Sequence, residues 1–286
     1  MATTKGVSNM EASFGVYYEK NTVIHRLDPR TKLLFMIAFI VCIFVAEDMY
    51  AYLMLIGITI ASILVSRVPV LMVLKGLKPI FIIVIITTIL NLFWTDGYTE
   101  LASWTVIPDF WTITIYKESL IRAGMLALRI VILMACTSLY FSYTTTPIEL
   151  TDGIETGLSP LKKIKIPVHE FAMMMTIALR FIPTLVDETT KIMNAQKARG
   201  ADFSSGGLIK RAKALIPIII PLFVSAFRRA DELATAMECR CYRGGTGRTR
   251  MNVLKMRIKD YIFLLLTGGM IAGVILLNIY GNGYKV

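Results

Sequence analysis

Histidine is almost absent from this chain. The two present, His25 and His169, are far apart and lack ligand-pattern neighbours, so no metal centre is expected and each is read as locally hydrogen-bonded. Cysteine is nearly as scarce. Cys42, Cys136, Cys239 and Cys241 show neither the CxxC spacing of a zinc site nor a secreted disulfide framework, which leaves reduced thiols in cytoplasm or membrane. No GxxxxGK[ST] phosphate loop occurs, so the chain is not expected to bind or hydrolyse ATP itself, and no catalytic residue is assigned. The first 32 residues are mixed polar and charged, with no apolar core before a small-residue cleavage site, so a cleavable signal peptide is not expected.

What the chain has is apolar length. Of 286 residues 55% are hydrophobic and only 18% charged, with a mean hydropathy of +0.63, which is too apolar for an ordinary soluble domain. Apolar runs extend over Leu33–Ala46, Met49–Val65, Ile80–Phe93, Ala123–Phe141 and Tyr261–Ile279. A span takes about 20 residues, so the first and third are short unless Lys32, Glu47 and Lys78 snorkel. Glu47-Asp48 reads as the tight turn of a helical hairpin. The pattern predicts an all-α polytopic membrane protein with about five transmembrane helices and a cytoplasmic module of long amphipathic helices. The divisions are 1–32, a cytoplasmic amino-terminal segment; 33–143, four membrane helices; 144–258, the cytoplasmic module; and 259–286, a last membrane helix and tail.

Charge gives the expected orientation. Lys5, Lys20, Arg26, Arg30 and Lys32 precede the first span, whereas the loop after the third offers Asp96, Glu100 and Asp109 against Lys117 alone. The positive-inside rule then puts the amino terminus in the cytoplasm of a multi-pass protein of the cell membrane. Residues 144–260 carry 19 Lys and Arg against 11 Asp and Glu, which is eight of the chain's eleven net positive charges. A basic juxtamembrane face is expected from topology and anionic lipid, so nucleic acid is not inferred as a partner.

The module between the last two spans has its own punctuation. Thr145 or Thr146 caps a short helix through Pro147 and Glu149 that Gly157 and Pro160 end. The Lys162-Lys163-Ile164-Lys165 run is either a solvated linker or a contact for headgroups or a partner. From Pro167 to Arg199, Phe171, Met174, Met175, Ala178, Leu179, Ile182, Leu185 and Val186 recur at helical spacing, and Pro183 predicts a kink or break near Leu179–Phe181. Leu208 to Arg240 repeats this plan in coarse form with Pro217 and Pro221, so these three prolines are the candidate hinges. Ser204-Ser205-Gly206-Gly207 separates the two segments. The acidic pairs Asp187-Glu188 and Asp231-Glu232 lie at different distances from the terminal arginines, so the two segments are analogous and not a repeat. Each segment ends in an arginine motif, Ala198-Arg199-Gly200 and Cys239-Arg240-Cys241. A cation there offsets the helix macrodipole; two such ends also suit partner recognition, because guanidinium presents a planar fork of donors to a carboxylate.

These motifs, the His25-Arg26-Leu27-Asp28-Pro29-Arg30-Thr31-Lys32-Leu33 string and the stretch from Glu238 through Tyr242-Arg243-Gly244-Gly245 to Gly247-Arg248-Thr249 resemble the transmembrane, or T, component of energy-coupling factor transporters. Those are ATP-binding-cassette importers of vitamins and metal ions. The resemblance implies that Arg199 and Arg240, flanked by Ala198, Gly200, Cys239 and Cys241, end coupling helices that insert into grooves of two ATPase subunits. It further implies that those partners bind ATP and magnesium, that a membrane S component captures the substrate, and that this non-catalytic subunit, without a cofactor of its own, transmits motion. The second motif departs from the commonest Ala-Arg-Gly form. Cys241 does not take a left-handed cap as cheaply as glycine, so the helix is expected to run on to Tyr242 or Gly244 and the two ends to terminate differently.

Met173-Met174-Met175, with Phe171 and Phe181, reads either as core filling or as an adaptable surface for the S component. Arg122 and Arg129 share a helical face in or beside the fourth span; Arg122 suits a headgroup position, and Arg129 a packed, paired role with no acidic partner nameable. Two rival functions are a self-sufficient secondary transporter, which wants ionisable residues at mid-span and inverted repeats, and a membrane scaffold without transport. Only Arg129 meets the first demand, and no inverted repeat is found.

Overall fold

Aspartate followed by proline is a strong helix start, because the carboxylate takes an orphan backbone N–H and proline's φ is already helical. At Asp28-Pro29 the first helix begins there, with the Asp28 carboxylate accepting from the Arg30 N–H at 3.0 Å. The computed structural model describes residues 18, 20, 22–94, 100–107, 111–158, 167–203, 207–244, 254 and 256–280. Asp96, Asp109, Pro160, Lys162–Lys165, Ser204–Gly206 and Gly245–Thr249 lie outside them. Among the described residues the helices are α1 (Pro29–Val45), α2 (Met49–Ser66), α3 (Val70–Trp94), α4 (Lys117–Thr137), α5 (Pro147–Gly157), α6 (Val168–Ala198), α7 (Leu208–Cys239) and α8 (Ile258–Tyr280). A π-helical turn, Ser138–Tyr143, extends α4. The chain is an all-helical polytopic membrane protein with one addition that hydropathy did not signal. An antiparallel hairpin, β1 (Glu100–Ile107) and β2 (Trp111–Tyr116), joins α3 to α4.

Among the described residues four stretches are long and apolar enough to cross a bilayer: Met49–Ser66, Val70–Leu92, Lys117–Tyr143 and Ile258–Tyr280. The first expected span is the exception. With 17 residues, α1 rises only about 25 Å, short of the roughly 30 Å hydrocarbon core. Lys32 does not snorkel to lengthen it, being 1% exposed inside the protein. The third span starts ten residues before the expected Ile80, because the exposed Lys75 and Lys78 and the interior Pro79 are carried within α3. A proline inside a helix forfeits one hydrogen bond without ending it when packing holds both sides, and α3 packs along α4.

The chain divides into two compact units, residues 1–153 with 254–286, and residues 154–253. In the first unit α1, α2, α4 and α8 pack around Phe35, Phe39, Leu55 and Tyr140. Phe35 stacks at 4.8 Å from Tyr140 and 5.0 Å from Phe263, centroid to centroid, and the Tyr140 hydroxyl donates to Ser62 at 3.1 Å, so a large aromatic is buried with its polar tip satisfied. One end of the unit is tied by buried polar groups. Asp260 accepts from the Asp28 N–H at 2.8 Å and the Arg257 N–H at 2.6 Å, capping α8 and holding the start of α1 to it. Lys32 Nζ donates to the Thr144 carbonyl at 2.7 Å and the Thr145 hydroxyl at 3.2 Å, which ties α1 to the end of α4. Burial pulls the Lys32 pKa down to about 8.

Thr146 caps α5. Its hydroxyl accepts from the Glu149 N–H and the Glu149 carboxylate accepts from the Thr146 N–H, both at 3.2 Å, a reciprocal capping box. Thr145 is occupied elsewhere, donating to the Tyr140 carbonyl at 2.7 Å. In the second unit, α6 runs unbroken through Pro183 and α7 through Pro217 and Pro221, so of the kink or break expected near Leu179–Phe181 the break does not occur.

Candidate docking and coupling site

A helix that ends in left-handed backbone closes its last turn with two hydrogen bonds, from C″ to C3 and from C′ to C2, the Schellman arrangement. Both arginine motifs are built this way. At the end of α6 the Ala201 N–H donates to the Gln196 carbonyl at 3.0 Å and the Gly200 N–H to the Lys197 carbonyl at 2.9 Å, with Gly200 at φ 86°. At the end of α7 the Tyr242 N–H donates to the Met237 carbonyl at 3.1 Å and the Cys241 N–H to the Glu238 carbonyl at 2.8 Å. Cys241 takes φ 55°. The expectation that α7 runs on to Tyr242 or Gly244 is therefore wrong: it ends at Cys239, and Arg240 occupies the same cap position as Arg199. The reason is energetic scale, since two backbone hydrogen bonds outweigh the penalty of about 1–2 kcal/mol for a side chain in left-handed conformation.

Ala198, Arg199, Gly200, Cys239, Arg240 and Cys241 are all exposed. Each guanidinium thus extends from the negative end of a helix dipole, which favours its charge while leaving its donors available. The two cysteines are free thiols.

The methionine cluster lies on the surface and not in a core. Phe171 is 55% exposed, Met174 59% and Met175 39%, while Met173 is half-buried. On α7, Ile216, Ile219, Ile220, Phe223, Val224 and Phe227 are also exposed, with the Phe223 and Phe227 rings 4.6 Å apart. Sequence reading did not single out this second strip; the i, i+3, i+4 spacing of those residues was the available signal.

Sequence reading also missed the polar contact that joins α6 to α7. Glu188 accepts from the Ser225 hydroxyl at 2.8 Å on one carboxylate oxygen and from Arg229 on the other. The structure matches an acid on α6 with a base on α7, and not one acidic pair with the other. Eleven residues separate Glu188 from Arg199 and eleven separate Arg229 from Arg240.

Both histidines are locally bonded. His25 Nε2 donates to the Tyr18 carbonyl at 3.0 Å and Nδ1 accepts from Thr22 at 2.6 Å, and burial lowers its pKa. His169 Nδ1 donates to Glu155 at 2.9 Å. Among the described residues Arg129 meets no carboxylate; its Nε donates to the Tyr52 hydroxyl at 2.7 Å and its Nη2 to the Ala46 carbonyl at 3.3 Å, tying α4 to the α1–α2 hairpin. Arg122 is exposed.

The described residues thus combine helices of membrane-crossing length with a module whose two long helices end in exposed arginine caps. The family model for the cobalt transport protein CbiQ matches residues 20–251. Relatives named energy-coupling factor transporter transmembrane protein EcfT include one from Clostridium kluyveri, 54% identical over 253 residues, which are 88% of this chain and 91% of the relative. Another, from Ruminiclostridium cellulolyticum, is 49% identical over 268 residues, 94% of this chain and 97% of the relative. A third, from Lactococcus lactis, is 49% identical over 251 residues, 88% and 92% of the two chains. The chain belongs to this CbiQ/EcfT family and is the transmembrane component of an energy-coupling factor transporter.

Proposed function

We propose that Arg199 and Arg240 are the docking points for two ATPase subunits, and that α6 and α7 carry ATP-driven displacement to a substrate-capturing S component during micronutrient uptake. The observation that carries this reading is the identity of the two caps: each places an exposed guanidinium at the tip of a helix of more than thirty residues. A protruding, dipole-supported arginine recognises a carboxylate-lined groove. In this reading the subunit is non-catalytic, and ATP with magnesium is held by the partners. The basic module faces the cytoplasm, a reading that its charge excess supports. The exposed Phe171, Met174 and Met175, with Met173 beside them, form the surface offered to the S component, because flexible thioethers re-pack against different partners. Pro183, Pro217 and Pro221 are the points at which the long helices flex.

The test is a double substitution, Arg199→Glu with Arg240→Glu, in the full chain co-expressed with its transporter partners. The variant should insert into membranes normally and lose ATPase co-purification by about tenfold or more, the scale set by removing charge-assisted contacts. Normal ATPase recovery with normal uptake refutes the assignment.

A further inference from the structure

We infer that Glu188, Ser225 and Arg229 form a pivot that sets the spacing of the two arginine tips, so that nucleotide-driven displacement reaches them as one movement. The inference rests on the docking reading for its purpose, but its geometry is independent of it. Glu188 presents one carboxylate oxygen to Ser225 and the other to Arg229, side chains one turn apart on α7. Apolar contact between helices is non-directional. A carboxylate held by two donors at i and i+4 fixes both the register and the rotation of α6 against α7. The ion-pair side chains are 24% and 31% exposed for Glu188 and Arg229, so solvent screens the contact only in part.

The position of this contact is what makes it a pivot. From Glu188 to Arg199 and from Arg229 to Arg240 the interval is eleven residues, so each arm is about 16 Å long at the helical rise. Eleven residues make about three full turns, so each arginine returns to the helix face that carries the contact. Residues 189–198 and 230–239 contain neither glycine nor proline, and both arms are uninterrupted helix. Every proline in α6 and α7 lies on the other side. Pro183 precedes Glu188 by five residues, and Pro221 precedes Ser225 by four. Flexing at those prolines leaves the arms intact, whereas loss of the Glu188 contact frees them to slide and rotate. Glu188 and Arg229 are thus positioning residues, acting on the docking arginines through equal, stiff arms.

The experiment uses the full chain with spin labels at Ala195→Cys and Ala236→Cys, exposed positions one turn before each arginine. Cys239→Ala and Cys241→Gly accompany them, which leaves the second motif as Ala-Arg-Gly and removes the exposed native thiols. With the pivot intact, the label-to-label distance distribution should be narrow in the chain alone, and in complex with its ATPases it should shift as one narrow peak on adding Mg-ATP and vanadate. Glu188→Gln and Arg229→Gln should each broaden it about twofold or more in both states while ATPase co-purification stays within about twofold, since a partly exposed pair is worth little to global stability. The reversed pair, Glu188→Arg with Arg229→Glu, should restore the narrow peak. Unchanged width in the single variants overturns the inference, as does a reversed pair no better than the singles. Failure of the docking reading appears separately, as ATPase recovery insensitive to Arg199→Glu and Arg240→Glu, and leaves the chain-alone widths to judge the pivot.

Discussion

Cys241 in left-handed conformation makes a prediction whose sign separates two ways of ending α7. The φ of 55° at Cys241 costs roughly 1 kcal/mol relative to glycine, which suffers no clash there. Glycine also adds freedom to the unfolded chain, offsetting about 0.5 kcal/mol of that gain. Cys241→Gly should therefore stabilise the last turn of α7 by about 0.5 kcal/mol, which slows amide exchange at positions 241 and 242 by roughly twofold. The mirror experiment is Gly200→Ala. No atom lies within 4 Å of a methyl placed at Gly200, so the cost comes from the φ of 86°, about 1 kcal/mol, of which the stiffer unfolded chain offsets about 0.5 kcal/mol. Exchange at Gly200 and Ala201 should quicken about twofold, measured by hydrogen–deuterium exchange on the full chain in detergent. If α7 instead continued to Tyr242, position 241 would be helix interior, and glycine there would destabilise by about 1 kcal/mol. Faster exchange in Cys241→Gly thus refutes the shared cap geometry outright.

Other consequences follow from the same geometry. Asp260→Ala strands the buried Asp28 N–H, costing about 1–3 kcal/mol, and also removes the cap on the exposed Arg257 N–H, so it should lower the thermal midpoint in detergent below that of Thr146→Ala, which loses one cap worth about 1 kcal/mol. Lys32, with its pKa near 8 against an ordinary 10.5, carries a stability cost of roughly 3 kcal/mol. Because its folded value is depressed, that cost is present in full below pH 8 and fades as pH rises towards 10.5, the unfolded chain binding more protons in that window. The thermal midpoint of the unsubstituted chain should therefore gain on that of Lys32→Met between pH 7.5 and 9.5; parallel curves would sink the reasoning. Alanine across Met173–Met175 should weaken S-component binding by about tenfold or more, as loss of an exposed apolar contact surface requires, and leucine should alter the balance between two S components. Equal, unchanged binding of both removes that surface from the proposal.

The parts legible in the sequence were those governed by neighbours along the chain. Thr146-Pro147-Ile148-Glu149 and Gly200 each announce a helix boundary through chemistry that acts within one turn, and the structure has those boundaries where the residues put them. Apolar length disclosed the membrane helices, although α3 began earlier and α1 proved short, because lysines and a proline inside a helix are decided by what packs on either side. Cys241 was misjudged for a related reason. Propensity ranks residues by their own cost, but the Tyr242 and Cys241 hydrogen bonds that outweigh it belong to the whole cap.

Composition, hydropathy and the two arginine motifs thus determined the class of this protein and its docking residues as candidates, since those are carried by residue type and local order. Which surface the methionines occupy, why Lys32 is buried, and that Glu188 meets Ser225 and Arg229 were decided only by tertiary structure. These are contacts between residues up to 113 positions apart. A single sequence holds the two eleven-residue intervals, but only the packing of one helix on the other makes them the arms of one device.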